Sequence, residues 1–479
     1  MPAPVAPAPA SVAPVTVVGI GADGWAGLTE EARAALRSAE VVIGGPRQLA
    51  LLPTADGPGG GPAGAPADGP DGCPGERLAW PSPLRPAVPA LLAAHAGRRL
   101  CVLASGDPMF YGIGRALAQE AGAERLRVLP HPSSVAYACA RLGWAVEDTE
   151  VVTVVGRPVE RLAAALHDGR RVLVLSAGAA TPGQVAALLR ERGYGPSRMH
   201  VLEQLGADTG TPDTGTPDTD VRDIGLPDDG LPHTGAPDGS VPGGSAPDTD
   251  ARERLVSGLA EQWTEPPGDP LNVVAVECRR ADGALRLGAV PGLPDEAYEH
   301  DGQLTKRHVR AATLAALAPA PGELLWDVGG GSGSIAVEWL RTHRSCRAVS
   351  VERDPARAER IGRNARALGV PELRVVTGAA PAALAGLPAP DAVFIGGGLT
   401  VPGLLDACWD ALREGGRLVA NTVTMESEAL LADRYRRYGG ELVRLAVAHA
   451  APVGGFTGWR QAMPVTQWTV TKAPGGERG

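Results

Sequence analysis

The sequence predicts an α/β protein of two tandem units, the second a doubly wound sheet. Three observations carry this. Short β-branched runs alternate with helical runs along most of the chain, the pattern of strands joined by crossover helices. The alternation lapses after residue 280 and restarts near 300, which makes two units rather than one. In each unit a glycine-rich turn follows the opening strand, where an α/β sheet presents its backbone to a ligand.

The first unit offers VTVVGI (15–20), VVIGG (41–45), RLCVLAS (99–105), LRVLP (126–130), VVTVVG (151–156), RVLVLS (171–176), MHVLEQ (199–204) and NVVAVEC (272–278) as strands. Stretches such as EEARAALRSA, IGRALAQEAG and QVAALLRERG supply helices between them, so largely parallel sheets are expected. The second unit offers LLWDVG (324–329), RAVSVER (347–353), LRVVTG (373–378), DAVFIGG (391–397) and RLVANTV (417–423). Two late strands, LVRLAVAHA and PVTQWTV, have no clear helix between them, which predicts a parallel sheet closed by an antiparallel pair. The expected organisation is a tail at 1–13, a first domain at 14–280, a linker at 281–298, a second domain at 299–473 and a tail at 474–479.

Two insertions interrupt the first domain, at 53–76 and 207–250. The first is rich in proline and glycine. The second contains eight pentapeptides from TPDTG to APDTD, with proline second in seven of them. Such composition buries too little apolar surface to order itself, and predicts a solvated acidic loop. A calcium-binding repeat would need a glycine-rich nonapeptide that the array lacks.

Charge follows the same division. The chain of 479 residues carries a net charge of −9, and residues 207–250, with ten Asp and one Arg, account for all of it. The remainder is neutral, which excludes a global basic field for nucleic acid. Six cysteines show no CxxC pair, and the nine histidines have no i, i+4 pair, so neither a disulfide framework nor a metal site is expected. Residues 1–22 lack the basic start of a signal peptide, and no stretch of 18 apolar residues occurs, so a soluble cytoplasmic protein is expected.

WDVGGGSGSIAVEWL (326–340) ends a strand and opens a helix. Its glycines at 329, 331 and 333 permit a sharp turn and a close backbone approach to a ligand. The helix start offers free N–H groups. Ser334 stands where a dinucleotide fingerprint needs its third glycine. Glu352 ends the next strand, about where an acid caps ribose hydroxyls. Asp354 and Pro355 then have the N-cap and N1 positions of a helix that Gly369 stops. Together these features resemble the S-adenosylmethionine (SAM) site of class I methyltransferases. IGGG (395–398) stands where amino-methylases carry Asn/Asp-Pro-Pro-Tyr, so nothing points to a nitrogen acceptor.

In the first unit GIGADG (19–24) matches GxGxxG, but Glu40 precedes the second strand rather than ending it, which argues against NAD. SGDPMFYGIG (105–114) and HPSSVAYA (131–138) are small-residue loops after adjacent candidate strands. GIGADGWAGL, SGDPMFYG, PSSVAYACARLGW and VVTVVGRP resemble the tetrapyrrole methylase family of corrin biosynthesis. The resemblance covers about 15–280, with the class I domain at 297–472.

The resemblance implies a class III fold of two α/β lobes followed by a class I SAM-methyltransferase fold, with one SAM site in each. In the first, SAM contacts fall on Ser105, Gly106, Asp107, Phe110, Ser133 and Ser134, although Asp107 also has the position of an N-cap. Gly19 and Gly21 would line the tetrapyrrole side. In the second, Thr305 lies near the methionine end of SAM, Gly329, Gly330, Gly331, Ser332 and Gly333 cradle it, Glu352 binds the ribose and Ala380 faces the adenine. Lys306 and Arg310, with Arg307 and His308, are candidate anchors for substrate carboxylates. No acid or base is assigned.

The implied activity is methylation of C5 by the first unit and of C15 by the second, with loss of CO2 from the ring-C acetate. This would convert precorrin-6B to precorrin-8X in cobalamin biosynthesis. The substrate is metal-free or already holds cobalt. No nucleic acid or membrane partner is expected, and relatives of the second unit imply a homo-oligomer, a tetramer among them. An RNA methylase fusion would need a basic cleft and stacking aromatics, but aromatics are only 4% of the chain. A double dinucleotide-binding oxidoreductase lacks the acid in one unit and the glycine in the other. A non-catalytic assembly protein would have no use for the glycine loops.

Overall fold

The computed structural model describes residues 14–53, 73–207 and 252–473. The acidic pentapeptide array and most of the Pro/Gly insertion lie outside the described residues. The chain divides into two compact units: Met1–Arg157, Gly169–Glu191 and Gly195–Arg279 form one, and Pro158–Asp168, Arg192–Tyr194 and Arg280–Gly479 the other.

The first unit has two sheets. β1 (Val15–Ile20), β2 (Val41–Gly44), β3 (Glu76–Ala79), β4 (Leu100–Ser105) and β5 (Leu126–Leu129) form a wholly parallel sheet in the order β3-β2-β4-β1-β5. Its central strands are continuous apolar runs because helices cover both faces. Those helices are α1 (Gly24–Gly27), α2 (Glu30–Ser38), α3 (Pro46–Ala50), α4 (Leu84–Ala94) and α5 (Gly114–Ala121). In α2 the Thr29 hydroxyl caps the Ala32 N–H, and Glu30 and Glu31 face the positive end of the helix dipole.

α6 (Ser134–Leu142) leads to the second sheet, which holds β6 (Thr149–Thr153), β7 (Arg171–Leu175), β8 (Arg198–Glu203), β9 (Arg254–Leu259) and β10 (Asn272–Glu277). α7 (Thr181–Glu191) connects β7 to β8. The order is β6-β7-β10-β8-β9, and only the β6–β7 ladder is parallel. The expectation of largely parallel sheets therefore fails here. Central strands such as VLVL and NVVAVE are buried on both faces whichever way they run, so their pattern carries no direction. β3 and β9 were not legible either. Both are sheet-edge strands with exposed charges, and they lack an apolar run.

The second unit has one seven-stranded sheet. β11 (Leu324–Val328), β12 (Arg347–Glu352), β13 (Arg374–Thr377), β14 (Ala392–Ile395) and β15 (Arg417–Thr422) are parallel. β16 (Glu441–Leu445), β17 (Ala448–Val453), β18 (Phe456–Gln461) and β19 (Val465–Thr471) follow. The order is β13-β12-β11-β14-β15-β19-β16, with β19 antiparallel to both neighbours, which is the expected antiparallel closure. The late run LVRLAVAHA divides between β16 and β17, and β17 pairs with β18 as a separate hairpin. α8 (Arg307–Leu317), α9 (Ser334–Thr342), α10 (Pro355–Ala367), α11 (Leu404–Ala411) and α12 (Met425–Tyr438) flank the sheet. Asp354 caps α10 by accepting the Ala356 and Arg357 N–H groups, with Pro355 at N1 as expected. The largest fully buried side chains include Trp326, Trp339 and Trp468. The strand order reverses between β11 and β14, the kind of switch point at which open α/β sheets bind ligands. No helix among the described residues is long and apolar enough to cross a membrane.

Candidate functional site

In the first unit, the loops after β1, β4 and β5 meet at the carboxyl ends of adjacent strands. The contact is so close that side chains are excluded. A Cβ on Gly19 would lie 2.0 Å from the Gly106 carbonyl oxygen and 2.6 Å from the His131 nitrogen. Gly106 has φ +57°, and a Cβ there would lie 3.2 Å from the Pro132 oxygen. Backbone bonds close the crossing: the Gly106 N–H donates to Ile20 (3.0 Å) and the His131 N–H to Gly106 (3.4 Å).

The predicted serines are partly engaged. Ser105 Oγ accepts from Gln48 Nε2 (3.0 Å) and an Arg47 guanidinium nitrogen (3.3 Å). Ser133 Oγ caps α6 by accepting the Ala136 N–H (3.1 Å), and Ser134 opens that helix. Asp107 does not cap α5, whose N-cap is Ile113. Its Oδ1 accepts the Met109 N–H at 2.8 Å and shapes the loop instead. Phe110 packs against the cluster of Val135, Trp144, Leu173 and Leu202. Gly21 is pressed against Asp23 and His131, whose side chains pair at 2.9 Å.

In the second unit the glycine loop leaves β11 and enters α9. Gly329, Gly331 and Gly333 have φ of +76°, +60° and +75°. A Cβ on Gly330 would strike Ser350 Oγ at 2.2 Å, and one on Gly333 would strike Ile361 at 2.6 Å. Glu352 is buried at the end of β12, where Oε2 accepts the Gly331 N–H (2.9 Å) and Oε1 the Asp354 N–H (3.0 Å). Each carboxylate oxygen thus keeps a lone pair for a diol. The loop bearing Ala380 begins at Gly378, whose N–H donates to the Glu352 carbonyl (2.9 Å). Ser332 Oγ is buried with no hydrogen-bond partner among the described residues. A buried carboxylate with spare acceptor capacity and an orphaned hydroxyl fit the polar groups of a nucleoside-bearing cofactor such as SAM.

A strap at 299–305 crosses this loop. The Gln303 carbonyl lies 3.2 Å from where a Gly331 Cβ would stand. Asn364 ties the two: its amide donates to Ser332 (2.9 Å) and Glu299 (3.0 Å) carbonyls, and its Oδ1 accepts the Glu299 N–H (2.9 Å). Arg357 and Arg360 both pair with Asp301, and their bonds hold its carboxyl far below the ordinary range. Thr305 sits at the end of the strap, and Lys306 is the exposed N-cap of α8, 3.8 Å from Asp295.

Arg310 requires a correction. It is fully buried and cannot anchor a substrate carboxylate. Its guanidinium donates to Glu338 (2.6 Å), Asp295 (3.2 Å) and the carbonyls of Thr305 and Leu293. Glu338 also accepts from the Tyr298 hydroxyl and the Gly292 and Leu293 N–H groups, so the cluster anchors the strap to the core.

Three polar side chains escaped sequence reasoning. Asp327 is buried beneath the glycine loop and accepts from Ser350 (3.1 Å). Burial pushes its carboxyl up to about 7. An acid inside the apolar run LLWDV was the available signal. Asn364 looks like any polar residue of a surface helix. His131 gave no signal, because its partner lies 108 residues earlier.

Residues 14–212 match the profile of the Tetrapyrrole (Corrin/Porphyrin) Methylases, and residues 296–472 that of a Precorrin methyltransferase domain. A precorrin-6Y C(5,15)-methyltransferase (decarboxylating) from Sinorhizobium sp is 44% identical over 465 residues, 97% of this chain and 98% of its own. One of the same description from Mycobacterium tuberculosis is 44% identical over 461 residues, 96% of this chain and 100% of its own. The crystal structure of the C-terminal domain of the Rhodobacter capsulatus precorrin-6Y C5,15-methyltransferase is 50% identical and covers 39% of this chain and all of its own, with a TM-score of 0.37.

Proposed function

The chain belongs to the family of decarboxylating precorrin-6Y C(5,15)-methyltransferases, and from that premise we propose how its two units divide the work. The protein carries out SAM-dependent methylation of a precorrin, with decarboxylation, in cobalamin biosynthesis. The first unit methylates C5. The second methylates C15 and releases CO2 from the ring-C acetate. Each unit holds its own SAM.

SAM supplies an electrophilic methyl group on a sulfonium leaving group. The meso carbons of a reduced tetrapyrrole are enamine-like and already nucleophilic, so the protein's task is alignment and exclusion of water. Both sites suit that task, because each is mainly backbone held in a fixed course. In the second unit Glu352 holds the ribose hydroxyls, and the 329–333 loop and strap position the methionine end. In the first unit the loops at 105–110 and 131–134 hold the cofactor beside the Gly19–Gly21 turn. In decarboxylation the acetate C–C bond breaks, CO2 leaves, the electron pair enters the conjugated macrocycle, and the remaining methylene takes up a proton from water to become a methyl group. Lys306, exposed beside Thr305, is the retained anchor for a substrate carboxylate.

The observation that carries this is the half-used Glu352 carboxylate beside three left-handed glycines. Val453, Phe456 and Trp459 stand exposed on the β17–β18 hairpin, which supports a homo-oligomer formed through the second unit. The decisive experiment is the product mass from precorrin-6B and methyl-labelled SAM. A gain of two methyl groups with loss of one CO2 is expected. No change with the metal-free substrate, but turnover of its cobalt-containing equivalent, would reassign the substrate. No change with either would overturn the proposal.

A further inference from the structure

Three loops of the first unit converge on one imidazole. His131 is buried, 7% exposed. Its backbone N–H donates to Gly106 in the loop after β4, and it stands in the loop after β5. Its Nε2 lies 2.9 Å from Asp23 Oδ2 in the turn after β1. Its Nδ1 lies 3.2 Å from the Pro132 carbonyl oxygen. A carbonyl and a carboxylate only accept, so the arrangement suits a ring that donates from both nitrogens, an imidazolium. Asp23 Oδ1 is buried with no close hydrogen bond among the described residues, and the Tyr137 hydroxyl is the other group that interacts with the carboxylate His131 holds. Gly21 shows how tightly the group is packed: a Cβ there would lie 2.5 Å from Asp23 Oδ1 and 2.7 Å from His131 Cε1.

Taking the first unit as the C5 methylase, we propose that His131 is a positioning residue. Its imidazolium pair with Asp23 clamps the glycine turn onto the two cofactor loops, so that C5 methylation alone is faster with His131 protonated. The turn carries Gly19 and Gly21 on the proposed tetrapyrrole side, and the other loops carry Gly106, Ser133 and Ser134. A neutral ring would keep its Nε2–H on Asp23 and give up the Nδ1–H, so the Asp23 bond would lose its charge assistance and the Pro132 carbonyl would face a lone pair.

The other titratable group facing the pair is Tyr137 on α6, its ring 6.1 Å from that of His131. Burial and then the Asp23 charge push the Tyr137 hydroxyl up, so it stays neutral. Beyond it Arg141 and Glu253 pair with each other at 2.5 Å. Burial pulls His131 down, but the Asp23 bond and charge outweigh it and raise the ring above its ordinary value. The charged clamp is therefore complete below about pH 6.5 and weakens as pH rises through that higher value.

The test uses the full-length chain with precorrin-6B and methyl-labelled SAM between about pH 6 and 9, with products followed by mass. C5 methylation should fall along an alkaline limb that C15 methylation and CO2 release do not share. His131→Gln should lower C5 methylation on the order of 10²-fold at neutral pH and flatten the limb. Asp23→Asn should move the limb to lower pH. Retained C15 methylation in the same variant chains shows that the second unit is intact, and a urea unfolding transition of the first unit unchanged from wild type excludes misfolding there. A second readout needs no turnover: 15N spectra of the histidine rings, with His131 identified by its loss in His131→Gln, should show both ring nitrogens protonated at pH 7. A neutral His131 ring, or a limb that survives in His131→Gln, overturns the clamp alone. Absence of C5 methylation by the wild type at every pH overturns the functional assignment of the unit, and the proposal with it.

Discussion

The two units hold backbone at the ends of parallel strands by different means. In the first, three loops are cross-tied by polar bonds, and one charged pair, His131 with Asp23, joins segments far apart in the chain. In the second, the glycine loop is wedged against Ile361 and Ser350 and covered by a strap that Asn364 and Arg310 anchor. The first arrangement gains strength from a proton on His131, whose hold on that proton Asp23 raises. The second depends on packing and on hydrogen-bonded carboxylates, with Asp327 raised to about 7 by burial. Similar chemistry therefore need not share a sensitivity, and perturbing one unit at a time should expose the difference.

The largest effect is expected at the wedged loop. Gly331→Arg places a side chain at φ +60°, with its Cβ 3.2 Å from the Gln303 carbonyl. C15 methylation and CO2 release should fall at least ~10²-fold in the product-mass assay, while C5 methylation persists. If both fall together, the units are not independent. Arg310→Ala removes one partner of a buried pair and leaves Glu338 uncompensated. It should cost about 3–5 kcal/mol in urea unfolding of the second unit. A cost near zero would show that the strap does not rely on this anchor.

Asp107→Ala removes the acceptor for the Met109 N–H, whereas Asp107→Asn keeps one. C5 methylation should drop about tenfold in the first variant, matching a lost charge-assisted bond, and much less in the second. Equal losses would mean that the charge acts directly on a ligand. A separate, pH-dependent effect concerns Asp327, raised to about 7 by burial. The native state holds a proton between about pH 4 and 7 that the unfolded chain has released, so stability falls as pH rises across that window. Asp327→Asn should flatten this slope, which for one proton is ~1.4 kcal/mol per pH step of one. An unchanged slope would place the titration elsewhere.

Much of this was legible in the sequence because it is local. β-branched runs, the Asp354–Pro355 helix start and the glycines at 329, 331 and 333 act through neighbours a few residues away. Their left-handed turns leave little choice of residue. The late antiparallel closure was legible as well, since two strands without an intervening helix have few other ways to pair. Tertiary structure alone decided the rest. It set the antiparallel direction of β10 between β7 and β8, because doubly buried strands look the same either way round. It drew β3 and β9 onto sheet edges, where neighbours supply the bonds that weak apolar patterns do not announce. It put Arg310 into the core although its place beside Lys306 and Arg307 suggested solvent, because Glu338, 28 residues on, supplies the countercharge that burial demands. It also brought His131 to Asp23. A charge is recognised by its partner, and a partner 108 residues away is chosen by the course of the chain.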